Sequence, residues 1–285
     1  MQTRSFRDVL GREVTVPDPP RRVVSLVPSV TEICFALGAG DRVVGITRFC
    51  TEPPAGVAGK VRVGGEKNPD LDLIRRLQPD LVIGNVEENR KADVEALAGS
   101  GIPVYVIFPR TVGEGAGLLR DLGGLLGEPE AGDALAARVE AALEEVAGLR
   151  AGRRPVRVFC PIWKNPWMAC NRDTYVHDVL VTCGGENITA EKPERYPRVT
   201  LEEVAAGAPE VILLPDEPFR FGPKHIPLFR AFPAMPAVRA GRVYCIDGKW
   251  ISWYGPRMAG ALPALTRVIL GETSAAEGRT AGTRS

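Results

Sequence analysis

Aromatic side chains are scarce here, at 6% of 285 residues, and the four tryptophans among them are not scattered. Charge surplus is lacking too. Thirty-six basic residues face thirty-five acidic ones, a net charge of +1, which excludes the electrostatic footprint of a nucleic-acid or anionic-membrane binder. No stretch approaches the roughly 18 apolar residues of a membrane span, so membrane insertion is not expected. The opening segment, MQTRSFRDVLGREVTVPDPP, holds neither a signal-peptide core nor a lipidation cysteine. As the sequence stands, a cytoplasmic protein is expected, or an extracytoplasmic one if this N-terminus is trimmed or misassigned. None of the six cysteines forms a CxxC pair, and a chain this long needs no disulfide framework; small buried hydrophobes in a reducing compartment are expected.

Histidines number only two, His177 and His225. Cys170, Asp173 and His177 fall within eight residues, CNRDTYVH, but no second close ligand pair accompanies them, so no zinc spacing emerges. A helix opened by Asp173 would place His177 four residues on, either as an ordinary helix histidine or as an axial ligand to a metal held in a bound compound. Catalytic signatures are missing as well: there is no nucleophile elbow and no phosphate loop. An enzyme would have to rely on Cys170 or Cys160 as nucleophile with His177 as base, a pairing whose geometry the sequence does not set. No catalytic residue, protein-held metal or intrinsic cofactor is expected.

Present instead is an alternation of short apolar runs and helical patterns. RRVVSLV, RVVGI, PDLVIGN and IPVYVIF read as buried strands. Between them come PSVTEICFALGAG, with Ser29 and Glu32 as a capping box, KNPDLDLIRRL, with Asn68 as cap and Pro69 in the first turn, and NRKADVEALAGSG. The pattern predicts mostly parallel sheets covered on both faces. The alternation then pauses. Ala131–Leu149 is a run of helix formers that would span roughly 28 Å at about 1.5 Å per residue. PVRVFCPIW reopens the strands, and TLEEVAAGAPEVILL begins with a second box, Thr200 and Glu203. The second half echoes the first: DLIRRLQPDLVIGN resembles EEVAAGAPEVILLPDE. The expected organisation is an N-terminal α/β lobe over residues 1–129, a single long helix over 130–151, a C-terminal α/β lobe over 152–272, and a disordered tail over 273–285, with a ligand cleft between the lobes.

The tryptophans return at this point. Trp163 and Trp167 follow one predicted strand, and Trp250 and Trp253 another, where ligand sites of α/β sheets gather. Lysine, asparagine and proline around them argue against full burial. Each pair either grips a bulky, partly apolar ligand or lids a small core. In the first half, three post-strand loops carry Ser29 at a helix N-terminus, Arg48 with Phe49 and Cys50, and Phe108 with Arg110. The arginines could meet ligand carboxylates or phosphates, or pair internally with Glu66 and Asp173. Glu87 and Glu88, and Glu202 and Glu203, sit at predicted helix starts, where the dipole favours them; on a rim they could instead meet arginines of a partner.

Six stretches carry a resemblance: RRVVSLVPSVTEICFALGAGDRVVGIT, GGEKNPDLDLIRRLQPDLVIGN, GIPVYVI, CGGENI, VTLEEVAAGAPEVILL and WYGPRMAGALPAL. In order, from Arg21 to Leu270, they resemble the cobalamin-type substrate-binding proteins of ABC importers, within the helical-backbone metal receptor superfamily. The resemblance implies two α/β lobes bridged by one long helix and a monomer that binds a ligand without turning it over. The ligand implied is a corrinoid (cobalamin or cobinamide), with haem or a ferric siderophore as alternatives. Arg48, Arg110, Arg172 and Arg220 keep the siderophore open. In the N-terminal lobe it implies Ser29, Phe49 and Phe108 as cleft residues. In the C-terminal lobe it implies Trp163, Trp167, Phe219, Trp253 and Tyr254. It further implies permease docking through an acidic residue on each lobe, near Glu202 or Glu203 and, more loosely, Glu88, with Lys91 at the matching place itself. EENR, FPRT and DTYVHD resemble a branch of this family that is similar to cobalamin-binding proteins lacking export signals, and a place in that branch is expected for the sequence as it stands.

Overall fold

The computed structural model describes residues 2–272. The expected tail, 273–285, lies outside the described residues. The chain divides into two compact units. The first runs through Pro109, resumes over Glu114–Arg138 and includes Tyr254–Pro256; the second holds Arg110–Gly113, Val139–Trp253 and the segment from Arg257 onward.

The first unit opens with an antiparallel hairpin, β1 (Thr3–Arg7) and β2 (Glu13–Pro17). Its main sheet is wholly parallel and comprises β3 (Val23–Ser25), β4 (Val43–Ile46), β5 (Val61–Arg62), β8 (Leu81–Asn85) and β9 (Val104–Ile107), in the order β5-β4-β3-β8-β9. β3, β8 and β9 are buried along their whole length, as strands covered on both faces must be. Val24, Leu26, Ile74, Val82, Leu97 and Val106 form its core. A small ladder pairs β6 (Gly64–Gly65) with β7 (Asn68–Pro69). The helices are α1 (Pro28–Ala36), α2 (Pro54–Val57), α3 (Leu71–Arg76), α4 (Lys91–Gly99) and α5 (Val112–Leu126), the last beginning on the second unit's Val112.

The long helix is α6, Pro129–Arg150, and the division of the chain falls inside it, after Arg138. Its first turns lie against α5 through glycine. A Cβ on Gly123 would sit 2.8 Å from the Gly132 Cα, and one on Gly132 would sit 2.7 Å from the Leu119 carbonyl oxygen. Any larger residue at either place forces the two helix backbones apart.

The second unit repeats the plan with four parallel strands: β10 (Val156–Phe159), β11 (Gly185–Asn187), β12 (Val211–Pro215) and β13 (Val243–Ile246), in the order β11-β10-β12-β13. Its helices are α7 (Tyr175–Thr182), α8 (Leu201–Ala206), α9 (Pro236–Arg239), α10 (Lys249–Ser252) and α11 (Met258–Leu270). Phe159, Ile212, Leu214, Phe221 and Phe229 form its core. The expected class, two α/β lobes with mostly parallel sheets and one long helix, is the class observed.

Several helix starts differ from the sequence reading. α1 begins at Pro28 with Val27 as N-cap, so Ser29 lies inside the first turn and caps nothing. Proline without an N–H and with a fixed φ suits the first helical position, which moves the start forward. At α3 the cap is Asp70, whose carboxylate accepts from the Leu73 N–H at 2.8 Å, while Asn68–Pro69 is held in its ladder. α4 starts at Lys91 after Arg90, so Glu87 and Glu88 are not at a helix start. α7 is capped by Thr174 rather than opened by Asp173. The box at α8 is present in full, Thr200 Oγ1 accepting from the Glu203 N–H and Glu203 Oε2 from the Thr200 N–H.

Candidate functional site

In an open parallel sheet, ligands bind outside the strand C-termini where the strand order reverses, because neighbouring loops there turn away to opposite faces and leave a crevice. Each unit has one such point. In the first unit the chain runs from β3 to β4 on one side, then returns to β8 on the other. In the second it runs from β10 to β11, then crosses to β12.

At the first unit's point, β3 leads into the buried Ser29 and β8 into Val86–Asn89. Two asparagines hold this edge together. Asn89 Oδ1 accepts from the Asn85 N–H at 2.8 Å, and its Nδ2 donates to the carbonyls of Leu26 (3.3 Å) and Glu66 (3.2 Å), tying three loops. Asn85 Oδ1 accepts from the N–H groups of Glu87 (2.7 Å) and Glu88 (3.2 Å). That leaves Asn85 Nδ2 to donate to the Tyr254 hydroxyl at 3.0 Å, which itself donates to Glu88 Oε1 at 3.5 Å. Burial, with Glu66 and Glu87 nearby, pushes the half-buried Glu88 carboxyl up to about 8. On the adjoining strand ends, Phe49 is 50% exposed with the Arg48 guanidinium 5.2 Å from its ring centre, and Arg48 Nη2 also donates to Asn68 Oδ1. Phe108, after β9, is half-buried.

The second unit's point is aromatic. The loop after β10 folds into a small hairpin, with Met168 bonded both ways to Trp163, and presents Trp163 at 43% exposure. The loop after β12 brings Phe219 to Trp163, edge to face at 5.5 Å. Beneath them Phe219 meets Phe221 at 4.7 Å, Trp167 stacks on Phe221 at 5.6 Å and 12°, and Trp167 meets Phe229 at 5.7 Å. His225 closes the cluster from 5.3 Å, its Nδ1 accepting from the Gly222 N–H; burial pulls its imidazole below the usual range.

The first tryptophan pair thus splits its duties: Trp163 reaches solvent, and Trp167 packs. The second pair departs from the expectation of exposure. Trp250 is 7% exposed and Trp253 6%. Trp253 lies within 5.4 Å of the Lys249 ammonium and 5.3 Å of the Arg257 guanidinium, contacts that desolvate and hold the ring. Tyr254, also buried at 4%, belongs with the first unit, and the exposed Arg110 belongs with the second. Asn85, Asn89, Phe221 and Phe229 were not singled out from sequence, and His225 was named only as one of two histidines, with no role. The NxxxN spacing directly after an apolar strand, and FRF after VILLP, were the signals present.

The cysteine–histidine catalytic pairing does not survive. Cys170 is buried and its thiol is pushed up to about 12, and burial raises Cys160 as well, so neither supplies a thiolate. His177 Nδ1 lies 3.2 Å from Asn187 Nδ2. All six cysteines are free thiols, five of them buried. Among the described residues, no group of three histidine, cysteine or acidic side chains could hold a metal ion, and no helix is long and apolar enough to cross a membrane.

A family model described as periplasmic binding protein matches residues 23–249. The vitamin B12-binding protein of Vibrio cholerae is 28% identical over 247 residues, covering 86% of this chain and 88% of its own. That of Salmonella typhimurium is 32% identical over 221 residues, covering 75% and 80%. Among solved structures, the periplasmic vitamin B12-binding protein of Vibrio cholerae superposes with a TM-score of 0.79 at 25% identity, covering 94% of this chain and 100% of that one. The periplasmic heme-binding protein of Roseiflexus sp. RS-1 does so with a TM-score of 0.77 at 27% identity, covering 88% and 98%.

Proposed function

Because the chain belongs to the periplasmic binding protein family, a family of solute receptors rather than enzymes, we propose that it binds a corrinoid without chemical turnover, for delivery to an ABC importer. The observation that carries this reading is the aromatic ledge of Trp163 and Phe219 at the second unit's strand-order reversal. A large flat macrocycle matches such a ledge, since each ring offers broad apolar contact with few rotors to immobilise. Ser29, Phe49, Phe108 and Arg110, with the deeper Trp167, Trp253 and Tyr254, would serve as lining or support. The corrinoid is cargo, not a resident cofactor. The family favours extracytoplasmic work over the cytoplasmic location expected from the first twenty residues. Haem is the second reading, favoured by the likeness to the Roseiflexus heme-binding protein.

Titration of the purified protein, proposed to be a monomer, with cobalamin and cobinamide, read by calorimetry and visible absorption, tests the choice. One-to-one binding of either is expected. No heat from folded protein, with haem binding instead, would replace the first reading by the second.

Permease docking is proposed through Glu202, exposed in the first turn of α8. Its neighbour Glu203 is engaged, bonded to the Thr200 N–H and to Lys192 Nζ at 3.2 Å. Glu88 does not suit docking, being half-buried and turned to Tyr254. Glu202→Lys is expected to weaken capture by the detergent-solubilised importer at least tenfold while ligand affinity stays as it was, a charge reversal at a rim acting mainly on the encounter. Equal capture of both forms would remove Glu202 from the docking surface.

A further inference from the structure

The aromatic ledge of the second unit has a polar border. His225 lies 5.7 Å from Phe219 and 5.3 Å from Phe221, edge to face with both rings, and is only 6% exposed. Its two nitrogens are not alike. Nδ1 accepts from the Gly222 N–H at 3.0 Å, so it holds a lone pair, and the proton of the neutral ring sits on Nε2. Nε2 makes no hydrogen bond among the described residues, yet it is not among their sealed-off polar atoms without a partner, so it reaches solvent. With its proton in place Nε2 cannot ligate a metal, which leaves it as a hydrogen-bond donor.

Cations stand on both sides of this donor in sequence. Lys164 follows Trp163 in the small hairpin after β10, and Lys224 precedes His225 in the 3-10 helix Pro223–Ala231. Both ammonium groups are close enough to act on the His225 ring electrostatically, and no carboxylate does so. Lys164 is half-buried and Lys224 exposed, and neither is ion-paired among the described residues. Arg220, next to Phe219, is a third such cation. The acids of that loop are engaged: Asp216 Oδ1 accepts from the Gly248 N–H at 2.7 Å, and Glu217 Oε1 from the Ser252 hydroxyl at 2.9 Å. Solvated lysines are ordinary. A buried imidazole that keeps one N–H open beside two of them, next to exposed rings, is a place for an anion.

We propose that Lys164, His225 and Lys224 form an anion subsite at the border of the Trp163–Phe219 ledge, taking an anionic oxygen carried by the ring-stacked ligand. This rests on the corrinoid reading and deepens it: the oxygen is that of the phosphodiester in the nucleotide loop, which cobalamin has and cobinamide lacks. The lysines supply charge, and the histidine N–H supplies direction. All three belong to the second unit, so the subsite needs no residue of the first. A haem propionate would offer the same chemistry.

The experiment is calorimetric titration of the wild type and of Lys164→Gln/Lys224→Gln with cobalamin and with cobinamide, at about 50 mM and about 500 mM salt, a range over which exposed charges become screened. The wild type is expected to prefer cobalamin and to lose about threefold of that affinity with salt, cobinamide staying level. The double variant is expected to bind cobalamin about tenfold more weakly, with no salt response, and cobinamide within about twofold of the wild type. His225→Phe, which keeps a ring among rings, is expected to lose cobalamin affinity in the same selective way. Equal effects on both corrinoids, or none on cobalamin, in the lysine variant overturn the subsite. If neither corrinoid binds, the corrinoid reading has failed, and haem against its dimethyl ester puts the subsite to the same test. A preference for the free acid that the lysine variant abolishes upholds it; no preference, or no binding of haem, overturns it.

Discussion

Replacing Trp163 and Phe219 together by alanine is expected to weaken corrinoid binding by about a hundredfold and to leave folding nearly intact. Alanine at a well-seated interface aromatic costs about 1–2 kcal/mol or more, and about 2.7 kcal/mol in total corresponds to a hundredfold in affinity. Both rings sit on the outer side of the cluster, Trp163 at 43% exposure and Phe219 only partly buried, so little core is lost with them. Trp167 is the wrong partner for such a test. It stacks on Phe221, meets Phe229 and packs against the core, so its loss mixes binding with stability. Calorimetry on the double variant, alongside its thermal melt, gives the answer. Undiminished affinity in a folded double variant would take these rings out of the site.

Phe229→Ala is expected to have the opposite signature, a large loss of stability. The ring is fully buried and touches Phe159 at 6.4 Å and Trp167 at 5.7 Å, both edge to face. Removing it loses apolar contact and leaves a cavity that the surrounding sheet and helices fill only in part, a cost of about 3–5 kcal/mol. Urea unfolding followed by tryptophan fluorescence measures it directly. All four tryptophans lie in the second unit, so the signal reports on the unit that carries the lesion. Below the midpoint, affinity should fall as well, because the Trp167–Phe221 stack beneath Phe219 loses its floor. A change under about 1 kcal/mol would mean that the core closes over the gap, contrary to the packing described.

The strands were legible because a parallel sheet buried on both faces demands apolar runs, and VVS, LVIGN and VILLP have no other use. Helix caps were less legible, since several polar residues compete within one or two positions. Asp70 rather than Asn68, Thr174 rather than Asp173, and Pro28 ahead of Ser29 were decided by where the preceding backbone was already paired or constrained. The aromatic ledge was half legible. Trp163 stood out by composition, and its contact with Phe219 depends on β12 lying beside β10.

By itself, then, the sequence determined the alternation of strands and helices, the long helix, and the post-strand placement of the candidate loops, because local periodicity and chain order encode all three. Only tertiary structure decided what those loops do. It exposed Trp163 but buried Trp250 and Trp253, and it turned Glu88 from a helix-start acid into a half-buried carboxyl against Tyr254, its pKa raised by burial. Exposure and protonation depend on what residues distant in sequence bring alongside, and Tyr254 reaches Glu88 across 166 positions of chain.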